Sequence, residues 1–214
     1  MHEPTQRTQD HLYHGLGLPP EAEEVRARAR EFAREAAPFI PEMEERKEAL
    51  ENFPRALFDR MAALGLFRIP FTAEEGGEGL SGPMLATSII MEELAYESNT
   101  LAVIYDCQCV LAGRVLQYAA PELKAAYLPS VMSGERVACV AITEPDAGSD
   151  VSPRSVSTGA RPAEGGWLLS GHKRFIINAP LADFACILCT MDDTLGMVVV
   201  DMHADGVSTP VPDR

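Results

Sequence analysis

Apolar positions recur at helical spacing through roughly the first 135 residues and at strand spacing after them. Val25, Ala29, Phe32, Ala33 and Ala36 fall three or four apart within residues 19–37, and Glu21, Glu23 and Glu24 occupy the first turn, where the helix dipole favours acids. The pattern predicts an amphipathic helix with Arg26, Arg28, Arg30 and Arg34 as its solvated face. Pro54 opens a second helix that runs to about Leu64, with Gly65 just past its end. Residues 69–82 carry Gly76, Gly77, Gly79 and Gly82 and predict a loop. Residues 83–97 predict a third helix. Residues 100 to about 119 predict a fourth, apolar almost all round and therefore central to a bundle, and Pro121 opens a fifth that ends near Gly134.

Beyond Glu135 the period changes. Residues 137–142, 155–159, 166–170, 175–177, 184–191 and 196–201 are short runs, most of them rich in Val, Ile or Cys, separated by Gly, Pro and Asp turns. No crossover helices support a doubly wound sheet. The expected class is α+β: an N-terminal all-α helical bundle domain followed by an incomplete antiparallel β-barrel-like domain, divided as a flexible segment 1–18, a helical domain 19–135 and a β domain 136–214. A sheet that stopped after residue 201 would have an open edge, so the pattern expects cover from a partner chain or from further sequence.

Composition narrows the classes. Of 214 residues, 46% are hydrophobic and 23% charged, which is globular, and 18 Lys and Arg against 32 Asp and Glu leave a formal charge of -14. That balance argues against a nucleic-acid binder, which needs a basic face, but not against a nucleotide ligand held by backbone N–H groups. No apolar run approaches the roughly 20 residues of a membrane span and the start is not a signal peptide, so a soluble, cytoplasmic protein is expected. The five cysteines, at 107, 109, 139, 186 and 189, fit reduced, buried thiols. The Cys186/Cys189 spacing lies in an apolar strand pattern that sends the two side chains to opposite faces. His11 and His14 have metal spacing only on a helix, against which Gly15 and Gly17 argue, and His172 and His203 read as surface turn residues.

The segment with chemical content is Val140-Ala141-Ile142-Thr143-Glu144-Pro145-Asp146-Ala147-Gly148-Ser149-Asp150. A strand leads into a tight turn in which Pro145 sets φ, Gly148 permits close backbone approach, and Thr143 and Ser149 offer hydroxyls. Such a turn suits a pyrophosphate beside a polar ring, and equally suits a plain β-turn with capping residues.

This segment resembles the ITEPxAGSD signature of the flavin-dependent acyl-CoA dehydrogenases. The likeness extends upstream through Arg30-Glu31-Phe32-Ala33-Arg34-Glu35, Phe53-Pro54-Arg55-Ala56-Leu57-Phe58, Gly76-Gly77-Glu78-Gly79-Leu80 and Glu92-Glu93-Leu94-Ala95. Downstream it continues through Ser170-Gly171-His172-Lys173 and Ile176-Ile177-Asn178-Ala179. The resemblance implies helical, β and C-terminal four-helix domains, of which this chain matches the first and most of the second. It also implies FAD and the α,β-dehydrogenation of an acyl thioester.

By motif position, Val140, Ile142 and Thr143 would follow the flavin edge, while Gly148 and Ser149 would lie near the phosphates, with Ser149 also near the substrate thioester. Phe175 and Ile177 would form the second flavin segment. Glu144 occupies a structural position, and the base is expected in a C-terminal helical domain that no residue here replaces. Two departures stand out. Ile177 lacks the hydroxyl donor common at its position, and Glu75 stands where Tyr is frequent.

The leading expectation is therefore an acyl-CoA dehydrogenase-like oxidoreductase, inactive as this chain alone, whose base comes from a partner chain or a missing C-terminal domain. Its substrate would be an acyl-CoA or acyl-carrier-protein thioester, its state oligomeric, and its electron acceptor an electron-transfer flavoprotein. The alternatives are a carrier-protein-linked dehydrogenase, a flavin oxygenase of the same fold, and a non-catalytic scaffold subunit.

Overall fold

In the computed structural model the described residues are 17–45 and 53–210, so His11 and His14 lie outside them. Helix α1 (Pro20–Ala36) buries Ala22, Val25, Ala29, Phe32, Ala33 and Ala36, the stripe its spacing predicts. It packs against α4 (Pro83–Glu97). Between them in sequence come the short α2 (Ile40–Glu45) and α3 (Arg55–Ala63).

The polar face of α1 is more than solvated surface. Glu21 accepts hydrogen bonds from Ser81 N at 3.3 Å and Gly82 N at 3.0 Å, satisfying donors at the start of α4 from a different helix. The Arg28 guanidinium meets both Glu78 oxygens at 2.6 and 2.7 Å, and Arg30 Nε meets the buried Glu93 at 2.9 Å. These partners lie about 50 to 60 residues away, out of reach of a periodicity argument.

The glycine-bearing loop is likewise fastened at its middle. Thr72 and Glu75 form a capping box around a single 3₁₀ turn, Ala73–Glu75. The Glu75 carboxylate also accepts from Gln117 Nε2 at 2.8 Å and Lys124 Nζ at 2.6 Å. Burial by itself would raise this carboxyl, but the bonds from Lys124, Thr72 and Gln117 outweigh it and hold it at about 2. Glu75 thus anchors the loop to two helices by charge.

The fourth helix differs from expectation. It comprises α5 (Asn99–Tyr105), a π-helical segment (Asp106–Ala112) and α6 (Gly113–Gln117), which follow one another without a break. Helix α7 (Pro121–Ser133) ends at Gly134, whose φ of 70° is left-handed and where a side-chain methyl would come within 2.6 Å of Ala62 Cβ.

The second half is a five-stranded sheet of β1 (Ala138–Ala141), β2 (Gly159–Ala163), β3 (Gly166–Ser170), β4 (Phe184–Met191) and β5 (Thr194–Asp201). The α+β class stands, but the sheet is mixed where a wholly antiparallel one was expected. β4 is parallel to β1 and to β2, while β4–β5 and β2–β3 are antiparallel hairpins. The long excursion between β1 and β4, which holds β2, β3 and a 3₁₀ turn (Ala179–Leu181), lets the chain return in the same direction without an α-helix. Two of the expected runs are not strands. Around residues 155–158 the Ser152 and Ser155 side chains bond within the loop, competing with a ladder, and Phe175 and Asn178 have left-handed φ values of 59° and 66°.

One face of the sheet belongs to the helical core. Ala138, Val140, Phe184 and Cys186 pack with Phe58, Phe67, Leu128 and Val131, whereas Cys139 and Ala185, on the opposite face, join Ala182 in a small second cluster. Alternation along β1 and β4 therefore joins the two halves of the chain into one body.

Candidate functional site

The sheet forks beside β4. β1 pairs with residues 184–187 of β4 and β2 with residues 190–191, so the chain leaves the sheet after Ala141 and rejoins it at Gly159. Glu144 closes the stem of this excursion. One carboxylate oxygen accepts from Ser157 N at 2.7 Å and from the Ser157 hydroxyl; the other accepts from Thr158 N at 2.9 Å and Lys173 Nζ at 2.8 Å.

The Glu144 side chain is 1% exposed and that of Lys173 9%. Burial alone would raise the Glu144 carboxyl, but hydrogen bonds from Lys173, Ser157 and Thr158 hold it well below the usual carboxylate range. A carboxylate that already accepts four donors has no capacity to take a substrate proton at neutral pH. Its role is to bind three passes of the chain together. Lys173 Nζ also donates to Ile142 O at 3.0 Å, and Arg174 N donates to Thr143 O at 2.8 Å. These bonds set residues 142–144 alongside 173–175.

Past Glu144 the chain turns at Pro145 and Asp146, closed by Glu144 N to Ala147 O at 2.7 Å. A Cβ at Gly148 would meet only Thr143 Cγ2, at 3.8 Å, so the fold itself imposes no need for glycine there. Within the described residues the N–H groups of Gly148, Ser149 and Asp150 and the hydroxyls of Thr143 and Ser149 have no protein partner. Successive unpaired N–H groups in an exposed turn suit an anionic oxygen.

The neighbouring segment supplies apolar surface. Phe175 is 80% exposed in its left-handed conformation with Arg174 stacked 4.9 Å from its ring, and Ile142 and Ile177 are 39% and 41% exposed. Large apolar side chains held in the open beside free donors mark a binding surface more than a folding core. Val140 differs: its side chain lies in the helical core, leaving only its backbone for a ligand.

This donor set fits FAD, with unpaired N–H groups for phosphate, the Thr143 hydroxyl for a polar ring edge, and Phe175, Ile142 and Ile177 for flat aromatic faces. The structure thus sets Ile142 and Thr143 alongside the segment that carries Phe175 and Ile177, through the Arg174 N to Thr143 O bond and the Lys173 side chain, with Gly148 and Ser149 on the adjoining turn.

Two residues that shape this surface were not singled out from the sequence, Lys173 as the partner of Glu144 and Gln108. Gln108 is fully buried in the π segment, where Nε2 donates to Val131 O at 3.2 Å and Arg136 O at 2.8 Å while Oε1 accepts from Ala138 N at 2.8 Å. An amide within the apolar run Val103–Leu111 was the available signal, since a buried amide requires partners. The five cysteines are buried and unpaired, and burial pushes the Cys107 thiol up to about 11. His172 and His203 are exposed. No described helix is long and apolar enough to cross a membrane.

Comparison with known proteins gives two family matches: "Acyl-CoA dehydrogenase, N-terminal domain" over residues 19–135 and "Acyl-CoA dehydrogenase, middle domain" over residues 139–213. The caffeyl-CoA reductase-Etf complex subunit CarC of Acetobacterium woodii is 34% identical over 192 residues, 86% of this chain and 48% of that protein. The L-prolyl-[peptidyl-carrier protein] dehydrogenase of a Serratia species is 33% identical over 159 residues, 72% of this chain and 40% of that protein. The solved structure of PigA with FAD and proline matches at a TM-score of 0.75 and 27% identity, covering 89% of this chain and 50% of that one. The chain spans about half the length of the relatives it matches.

Proposed function

The chain belongs to the acyl-CoA dehydrogenase family, and from that premise we propose that it forms the N-terminal and middle part of an FAD-dependent enzyme that desaturates an acyl thioester between Cα and Cβ. The observation that carries this is the lateral bonding of residues 142–144 to Lys173 and Arg174, which sets the signature turn alongside the segment that carries the exposed Phe175.

In this reading the Gly148, Ser149 and Asp150 N–H groups hold the phosphates, while Thr143 and the backbone near Val140 and Ile142 meet the polar ring edge. Phe175 and Ile177 bound the ring laterally, and Ser149 also reaches the thioester. Bound FAD would supply the acceptor for the two electrons leaving the acyl chain. The chain's own residues orient that ring, and the apolar Ile142, Phe175 and Ile177 exclude water from it. The base would come from a C-terminal helical portion, on a longer chain or a partner. An electron-transfer flavoprotein is the proposed acceptor, in keeping with the Etf complex named for the relative from Acetobacterium.

A carrier-protein thioester is the second reading, favoured by the likeness to the prolyl-carrier dehydrogenase together with Ile177, which provides no side-chain donor to the ring. The test is titration with FAD, followed by the visible flavin band, on the chain combined with a family C-terminal helical half. Thr143→Ala with Ser149→Ala should weaken uptake roughly 10- to 150-fold, the equivalent of one hydrogen bond to a charged group at about 1.5–3 kcal/mol. A folded, combined protein that binds no flavin would refute the proposal. Comparing turnover on CoA and carrier-protein thioesters separates the two substrates.

A further inference from the structure

The π segment touches both sides of the proposed cofactor surface. Gln108 Oε1 accepts from Ala138 N at 2.8 Å, at the first residue of β1, while Nε2 holds the carbonyls of Val131 and Arg136, at the end of α7 and in the linker. The preceding residue, Cys107, directs Sγ at Ile177 O, 3.9 Å away, and lies against the Val140 backbone N–H. Cys107 is 1% exposed and Gln108 0%. Two consecutive side chains of one helix thus reach the strand that carries Val140 and the loop that carries Phe175 and Ile177.

We propose that Cys107 and Gln108 are positioning residues that set the separation between β1 and residues 175–178, and with it the seat of the flavin ring. The proposal rests on the FAD reading above for its functional consequence, while the mechanical coupling stands on the structure alone. A fully buried amide with three partners, two of them buried, allows little sliding, because a displacement leaves a donor or acceptor unpaired inside the core. The thiol stays protonated at physiological pH and bridges to Ile177 O as a weak donor. Segments of π geometry recur where a helix serves a site instead of only packing. Both side chains are buried behind β1 and residues 175–178, so neither is presented on the proposed cofactor surface.

Hydrogen exchange by mass spectrometry on the full chain tests the coupling, with Gln108→Met as the strong variant and Cys107→Ala as the mild one that keeps the fold. Gln108→Met should raise exchange about 10-fold or more in peptides spanning residues 138–142 and 174–178 and leave residues 83–97 unchanged. Cys107→Ala should raise it at 174–178 and at the Val140 amide, more mildly than Gln108→Met, and leave residues 83–97 unchanged. A uniform rise across all peptides, or no rise at 174–178 in either variant, would overturn the proposal. FAD affinity, measured in parallel on the combined protein, should fall about 10-fold in Gln108→Met. If the unsubstituted protein binds no flavin, the functional reading fails, while the exchange pattern still decides whether these residues position the two segments.

Discussion

Replacing Glu144 with Gln tests whether the signature acid works as a clamp. The substitution keeps size and one acceptor, removes the charge facing Lys173, and turns an NH₂ group toward donors from Ser157 or Thr158 and Lys173. Both side chains of the pair are more than nine-tenths buried, so the relevant magnitude is that of breaking a buried pair on one side, about 3–5 kcal/mol. At about 2–4 °C per kcal/mol for a chain of this size, the melting temperature should fall by roughly 6–20 °C.

Acid should narrow that gap. The Glu144 carboxyl is depressed in the fold relative to about 4.3 unfolded, so its stabilisation is complete above that pH and is lost as the pH falls toward the folded value. The assay is thermal unfolding by circular dichroism from pH 3.5 to 8 for the unsubstituted chain, Glu144→Gln, Lys173→Met and the double variant. The double variant should be less destabilised than the sum of the singles, because removing both partners leaves no unpaired charge. A loss under about 1 kcal/mol at neutral pH, or additive single effects, would refute the clamp.

Other outcomes follow from the same geometry. Glu75→Gln should cost about 1.5–3 kcal/mol by weakening the bonds to Lys124 and Gln117. With the Glu75 carboxyl at about 2, its contribution is full above about pH 4.3 and drains between there and pH 2, as urea titrations at several pH values would register. Gly134→Ala should cost roughly 2–4 kcal/mol, from a left-handed backbone and a methyl 2.6 Å from Ala62 Cβ, measured by chemical denaturation. Ile177→Thr returns a hydroxyl to the proposed ring edge and should tighten FAD binding on the order of 10-fold in a titration of the combined protein.

The elements visible in the sequence are those whose information is local. The stripe of Val25, Ala29, Phe32 and Ala36 and the apolar run of β4 record their own burial, and the prolines opening the helices at residues 20, 83 and 121 record a backbone preference at the first turn. The signature turn and its neighbour at 173–177 are recognisable as motifs, and the structure brings the two side by side. Less legible were the partners of charged groups. Arg28, Arg30 and Glu75 look like surface charges along their own segments, yet they meet Glu78, Glu93, Lys124 and Gln117 on others.

The sequence by itself determined the α-then-β order, the helix limits to within a few residues and the family signature, because helix dipoles, backbone propensities and periodic burial act over a few residues. Only the tertiary structure decided the mixed sense of the sheet, the π segment behind β1, the left-handed Phe175 and the fourfold engagement of Glu144. The sheet pairing, the π segment and the Glu144 bonds each satisfy buried polar groups with partners distant in sequence, and such a requirement exists only once the chain has closed on itself.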